Sequence, residues 1–256
     1  MDLGLTGRVA LVAAASSGLG LAVARTLAAE GAHVAVCARD PDRLARAHAE
    51  IDACGPGKVL SASVDLTDDD AAGAWVRDVA AEMGALHIVV TNSGGVPHGP
   101  VDAFGTAAYR EALTGNTVPH VAVALAALPH LTAAGWGRIL MITSEAVRQP
   151  LADTGLSAVA RLGVLGFAKG LVGTLGARGV TVNVLAPGFH RTKALDEQFG
   201  ADVERAVAEV AETLPLGRVG RAEDFGAIVA FLASEQASFV TGTVLLVDGG
   251  NSRGLA

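Results

Sequence analysis

Seven short, strongly apolar runs separated by helix-compatible stretches constrain this chain more than any other feature. The runs are RVALVA (8–13), HVAVCA (33–38), KVLSASV (58–64), LHIVVTN (86–92), GRILMITS (137–144), VTVNVLAP (180–187) and TVLLVDGG (243–250). Predicted helices lie between them: 18–31, a segment opening at Pro41, about 68–83, 106–133, 155–177, 194–213 and 222–233. Strands apolar on both faces and separated by helices call for a parallel sheet covered on both sides. The reading is α/β: one doubly wound, seven-stranded parallel sheet in a single domain over residues 1–256, with no linker and no internal repeat. A composition that is 51% hydrophobic can fill such a core, largely with Ala, Val and Leu.

The first strand runs into VAAASSGLG (12–20), which opens the first helix. A glycine-containing turn at that point lets backbone N–H groups and the positive helix end approach a pyrophosphate. Ser16, Ser17, Gly18, Leu19 and Gly20 are the candidates, with an ordinary turn as the alternative. Ala14 costs roughly 1 kcal/mol more than Gly if its φ is positive. At the end of the second strand Ala38 is followed by Arg39. NAD sites place a carboxylate there for the ribose 2′-OH. A guanidinium suits a 2′-phosphate instead, so NADP(H) is favoured over NAD(H). Asp40, before Pro41, reads as a helix cap.

On these residues the chain resembles the short-chain dehydrogenase/reductase (SDR) family. The family's TGxxxGxG falls on 13–20, with Gly18 and Gly20 matching and Ala13 and Ala14 replacing Thr-Gly. TNSGG (91–95) resembles its NNAG, and NVLAPGFHRT (183–192) its PG motif. Residues 215–250 resemble its C-terminal signature, so the likeness spans essentially the whole chain. It implies cofactor contacts from Asp65 and Leu66, from Asn92, Ser93 and Gly94, from Pro187 and Gly188, and from Thr192. It also implies a substrate flap over about 190–214.

The same resemblance implies a catalytic set with one departure. Asn116 and Ser144 resemble the family's Asn and Ser. Its Tyr and Lys positions fall on Ser157 and Arg161. Residues i and i+4 share a helix face, so both still point one way. A Ser…Arg pair, with NSGG and RQP at 92–95 and 148–150, resembles a divergent SDR subgroup. Ser157 is a poor acid, and Arg161 stays protonated and anchors rather than relays protons. The one tyrosine, Tyr109, falls outside the pocket in family register. His190, which titrates near neutrality, is the substitute proton donor favoured by position, with Glu145 another candidate.

A net charge of -7 without a Lys/Arg cluster argues against a nucleic-acid partner. No uninterrupted apolar run reaches the roughly 18–20 residues of a membrane span, and the opening residues do not read as a signal peptide. A cytoplasmic protein is expected. Cys37 and Cys54 have no motif spacing, and no metal site is expected. The leading reading is an NAD(P)(H)-dependent oxidoreductase acting on a small carbonyl or alcohol. A lyase, isomerase or cyclase using Ser144, Ser157 and Arg161 is the alternative, and a cofactor-binding protein without turnover a third. Apolar residues on several faces of the 106–133 and 155–177 helices, with the family habit, imply a homotetramer.

Overall fold

A computed structural model of the chain describes residues 1–193, 195–196 and 200–254. Residues 194 and 197–199, within the helix expected over 194–213 and the flap expected over 190–214, lie outside the described residues. The main strands are β1 (Val9–Val12), β2 (His33–Ala38), β3 (Val59–Ser63), β4 (Ile88–Thr91), β5 (Gly137–Ile142) and β6 (Val180–Pro187). Two short strands follow, β7 (His190–Arg191) and β8 (Gly220–Arg221), and β9 (Val244–Val247) ends the series. The helices are α1 (Gly18–Ala29), α2 (Pro41–Asp52), α3 (Asp69–Met83), α4 (Thr106–Asn116), α5 (Val118–Ala134) and α6 (Gly155–Leu175), then α7 (Val203–Thr213) and α8 (Ala222–Ala233).

Seven strands form one sheet in the order β3-β2-β1-β4-β5-β6-β9, and every pairing is parallel. Successive side chains of a strand point to opposite faces. Ala10, Val12, Leu140 and Ile142 therefore join one core with Leu27, Ile51 and Phe225. Val9, Leu11, Ile139 and Met141 join the other, with Trp75, Leu131 and Leu171. Two buried faces explain why the strand sequences read as continuous apolar runs rather than alternating ones. The pair β7–β8, His190 opposite Gly220, is a separate two-stranded ribbon.

Local chemistry sets the helix ends. Asp40 accepts from the N–H groups of Asp42 and Arg43 ahead of Pro41, and Asp68 accepts from Ala71 N–H. Gly84 and Gly135 close α3 and α5 in the left-handed region, at φ 78° and 62°. The helix expected over 106–133 divides at Thr117. Pro119 has no N–H to continue the hydrogen-bond ladder across that junction. The Thr117 hydroxyl donates instead to Ala160 O on α6, at 2.5 Å. By length and composition, Thr106–Ala134 and Gly155–Arg178 would each suffice to cross a membrane. Here they cover the sheet through Val123, Ala127 and Leu131 and through Val164 and Leu171.

Ala14 is the one non-glycine residue with positive φ among those described, at 50°. The left-handed region costs an L side chain about 1 kcal/mol or more. Ala14→Gly should therefore raise the unfolding free energy by about 1 kcal/mol in urea denaturation. An unchanged or lower midpoint would show that the turn carries no such strain.

Candidate active site

The turn after β1 is pinned from both sides. Ala13 N–H donates to Val90 O at 2.9 Å, and Ala15 N–H to Cys37 O at 3.0 Å. At Gly20 a Cβ would lie 2.6 Å from Ala14 O and 3.1 Å from Asn92 Nδ2, so only glycine lets α1 start this close to the turn. Gly18 has φ 59°. Ser17 is the N-cap, yet its side chain makes no capping bond. Leu19 packs its side chain against the core.

A cleft of about 900 Å³ runs from this turn along the carboxyl ends of β1 to β4. Ser16, Ser17, Arg39, Asp65, Leu66 and Asn92 line it, and it ends at Ser93, Gly94, Asn116 and Leu156. Arg39 is exposed at its rim. Asp40, the next residue, is committed to capping α2. Asp65 accepts from Thr67 N–H and from its hydroxyl, at 3.0 and 2.8 Å. Those bonds, the backbone one first, hold its carboxyl below the usual range. At Gly94 and Gly95 a Cβ would meet nothing within 4 Å, so the backbone at this end is open. A second cleft of about 420 Å³ shares Ser16 and Ser17 and adds Gly18 and Thr192. Open backbone, a glycine-built helix entry and the Ser16 and Ser17 side chains fit a nicotinamide dinucleotide. Pro187 ends β6, and Gly188 N–H donates to Val247 O; neither lines these two clefts.

The end of β4 organises the chemical side. Asn92 Nδ2 donates to Ala14 O at 3.4 Å. Ser93 Oγ donates to Asn116 Oδ1 at 3.0 Å, and Thr91 Oγ1 lies 2.6 Å from His120 Nδ1. Asn116 ends α4 and His120 lies in the first turn of α5, so the α4–α5 junction presents both side chains to the end of β4. Gly94 O accepts from Arg161 Nη2 at 3.1 Å, and Arg161 Nη1 donates to Ser157 Oγ at 2.9 Å. Burial lowers the Arg161 pKa to about 10, which leaves it charged near neutrality.

The structure thus joins Ser157 to Arg161 and brings both to the Ser93–Asn116 pair. Ser144 opens a single 3₁₀ turn, Glu145–Val147, and its Oγ accepts from Ala146 N–H at 3.2 Å. Among the described residues no hydrogen bond links it to Ser157 or Arg161. The structure does not bring His190 to that pair either. Its ring packs edge-on against Phe225 at 5.6 Å, Nδ1 lies 3.0 Å from Gly188 O, and Gly220 passes beneath it. Burial lowers its pKa. The Tyr109 hydroxyl is committed to Val101 O at 2.5 Å. Sequence reasoning missed His120 and Thr91; the signal available was a histidine one turn after Asn116 on an apolar helix.

A family model described as enoyl-(acyl carrier protein) reductase matches residues 13–252. The chain belongs to the short-chain dehydrogenase/reductase family. Within this SDR family it is 36% identical over 246 residues to the cis-4-hydroxycyclohexanecarboxylate dehydrogenase of Sinomonas cyclohexanicum, covering 95% of this chain and 96% of that one. It is 32% identical to the 3-oxoacyl-(acyl-carrier-protein) reductase FabG of Escherichia coli K12, over 95% and 97% of the two chains. The structure of L-sorbose reductase from Gluconobacter frateurii, complexed with NADPH and L-sorbose, superposes with a TM-score of 0.93 at 28% identity, covering 100% of both chains. The protein is thus an enzyme of the SDR oxidoreductase family, and its seven-stranded parallel sheet is that of the SDR fold.

Beside Ser144, this SDR buries a carboxylate. Glu145 is 3% exposed, and its Oε2 accepts from Asn251 Nδ2 at 2.8 Å. Burial raises its pKa, Asn251 lowers it and the nearby Asp248 charge raises it further. A carboxyl whose folded pKa is raised stabilises the fold fully below its unfolded pKa, and that contribution is lost as pH rises through the folded one. Gln at this position keeps an acceptor for Asn251 without a charge. Glu145→Gln should therefore gain stability relative to wild type as pH rises from about 4 to about 8, read by denaturant unfolding at each pH. A constant difference across that range would refute the buried-carboxylate account.

Proposed function

We propose that the protein is an NADP(H)-dependent oxidoreductase that interconverts a small-molecule carbonyl and alcohol, with a Ser…Arg pair where relatives of the usual pattern carry Tyr…Lys. One observation carries this reading: a single cleft connects Arg39 to Gly94, whose carbonyl holds Arg161. Arg39 reads the 2′-phosphate by charge and fork geometry. Ser16, Ser17 and the N–H groups from Gly18 to Gly20 hold the pyrophosphate, Asp65 and Leu66 border the adenine, and Thr192, from the adjoining cleft, holds the nicotinamide side. The bound cofactor supplies or accepts the hydride.

Ser157 and Arg161 then act on the carbonyl oxygen. Because Arg161 Nη1 donates to Ser157 Oγ, the serine hydrogen is free to donate outward. That donor and the guanidinium charge stabilise negative charge developing on the oxygen. Asn116, 3% exposed and accepting from Ser93, keeps its amide N–H groups available. Ser144 supports the substrate from the end of β5. A positioned general acid contributes about 10²–10⁴ in rate, so turnover without a tyrosine should be slow. The charged Arg161–Ser157 pair also favours a second reading, non-redox stabilisation of an enolate or oxyanion.

Fluorescence titration with NADPH and NADH, followed by a carbonyl panel read at the nicotinamide absorbance band, tests the proposal. NADPH should bind more tightly and be oxidised. Arg39→Ala should weaken NADPH about tenfold or more, the loss of a charge-assisted hydrogen bond, and leave NADH nearly unchanged. Equal loss for both cofactors would sink the 2′-phosphate assignment. Product formation without cofactor would favour the second reading.

We also propose a homotetramer. Leu113, Leu125, Val159 and Leu162 are exposed on α4, α5 and α6, and Phe239 and Leu245 are exposed at the β9 edge of the sheet. Two separate apolar faces suit two two-fold contacts. Light scattering at micromolar concentration should give a tetramer mass; a stable monomer would overturn this.

A further inference from the structure

Two buried polar atoms behind the Ser157–Arg161 pair lack a hydrogen-bond partner among the described residues: His120 Nε2 and Arg161 Nε. His120 is 0% exposed, and its other nitrogen is held by Thr91 Oγ1 at 2.6 Å. The two residues flank one helix contact. Thr117, three residues before His120, donates to the carbonyl of Ala160, the residue before Arg161, at 2.5 Å. At Gly163 a Cβ would come within 2.9 Å of Thr117 Cγ2, which shows how closely α6 approaches the start of α5.

Burial first, and the Arg161 charge second, lower the His120 pKa to about 3. The imidazole is therefore neutral at any working pH, with one nitrogen donating and the other accepting. If Nδ1–H donates to Thr91, Nε2 is the acceptor. Arg161 Nε–H is a donor only. Leaving both unsatisfied in the interior is costly, whereas pairing them satisfies both.

We propose that His120 Nε2 accepts the Arg161 Nε–H, directly or through one buried water, and that His120 is thereby the positioning residue for the guanidinium. The proposal rests on reading Arg161 as the cation of the site. With Nη1 on Ser157, Nη2 on Gly94 O and Nε on His120, every edge of the fork has a defined direction. The bond at Nε stops the guanidinium from swivelling about its stem, so the Ser157 hydroxyl keeps its outward aim. The Arg161 Nε–H, which can only donate, selects the Nδ1–H tautomer, and the Thr91 hydroxyl accepts from that Nδ1–H.

The test is NMR of the cofactor-free, ¹⁵N-arginine-labelled protein. The Arg161 Nε–H signal is assigned by its disappearance in Arg161→Lys, and its exchange with solvent is measured. It should be protected in wild type. In His120→Phe it should exchange about tenfold faster or more, the loss of one hydrogen bond to a charged group. His120→Gln, which retains an acceptor, should restore part of the protection. Thr91→Val, nearly isosteric, removes the acceptor that the Nδ1–H tautomer needs and should also speed exchange, and it serves if the phenylalanine variant does not fold. Unchanged protection in the folded variants overturns the proposal. Failure of wild type to bind NADPH would instead overturn the cofactor reading, and leaves the exchange result to stand by itself.

Discussion

The parallel pairing of β1 with β2 on one side and β4 on the other is the constraint on which the rest of this structure depends. β1 lies where the chain order reverses: β2 and β3 extend the sheet one way, and β4, β5, β6 and β9 the other. The connections leave the sheet toward opposite faces at that point, which opens a crevice beyond the carboxyl ends of the strands. The bonds from Ala13 to Val90 and from Ala15 to Cys37 fasten the turn to both neighbours. That fastening accounts for a left-handed Ala14 and for a Gly20 with no room for a methyl group. The same strand ends carry Arg39 after β2, Asp65 after β3 and Ser93 after β4, so one topological fact assembles residues far apart in sequence.

A half-buried guanidinium is the second determinant. Desolvation works against its charge, and two hydrogen bonds, to Ser157 Oγ and Gly94 O, offset that. Its pKa falls to about 10 and no further. A lysine in such a place loses its proton more readily, whereas an arginine remains a fixed cation with directional donors. That fixed charge also helps to keep the buried His120 neutral. Electrostatics and hydrogen bonding thus describe one network in which the histidine accepts and the arginine donates.

Much of this was legible in the sequence, for identifiable reasons. Buried parallel strands are nearly uniformly apolar, so Val9–Val12, Ile88–Thr91 and Val180–Pro187 stood out. Asp40 before Pro41 announced the start of α2. The division of the 106–133 helix was missed because Thr117 keeps helical dihedrals, φ -106° and ψ -53°, and only Pro119 hinted at a break. The ribbon of His190 with Gly220 was missed because two-residue strands leave no period to detect. His190 was singled out for its titration range and its loop, but proximity to a motif does not fix where a ring points. Phe225, thirty-five residues on, decides that. His120 is hard to read from the sequence for the opposite reason: it sits on an apolar helix outside any motif, and its partner Thr91 lies on a strand whose side-chain direction only the sheet register determines.

The balance of donors and acceptors then limits what can occupy the inner end of the cleft. Asn116 spends its carbonyl on Ser93, which leaves its N–H groups. Ser157 spends its lone pair on Arg161, which leaves its O–H. The Gly94 carbonyl, the nearest backbone acceptor, is taken by Arg161. On the proposed reading, what meets the ligand is a set of donors around a fixed positive charge, with the Tyr109 hydroxyl engaged elsewhere. A ligand whose polar groups only donate would leave those donors unpaired, at about 1–3 kcal/mol for each buried group. A group rich in lone pairs, such as a carbonyl, carboxylate, enolate or ribose oxygen, satisfies them. On the proposed reading the site holds negative charge on oxygen, and the fold's own residues do more there to stabilise that charge than to deliver the proton that discharges it.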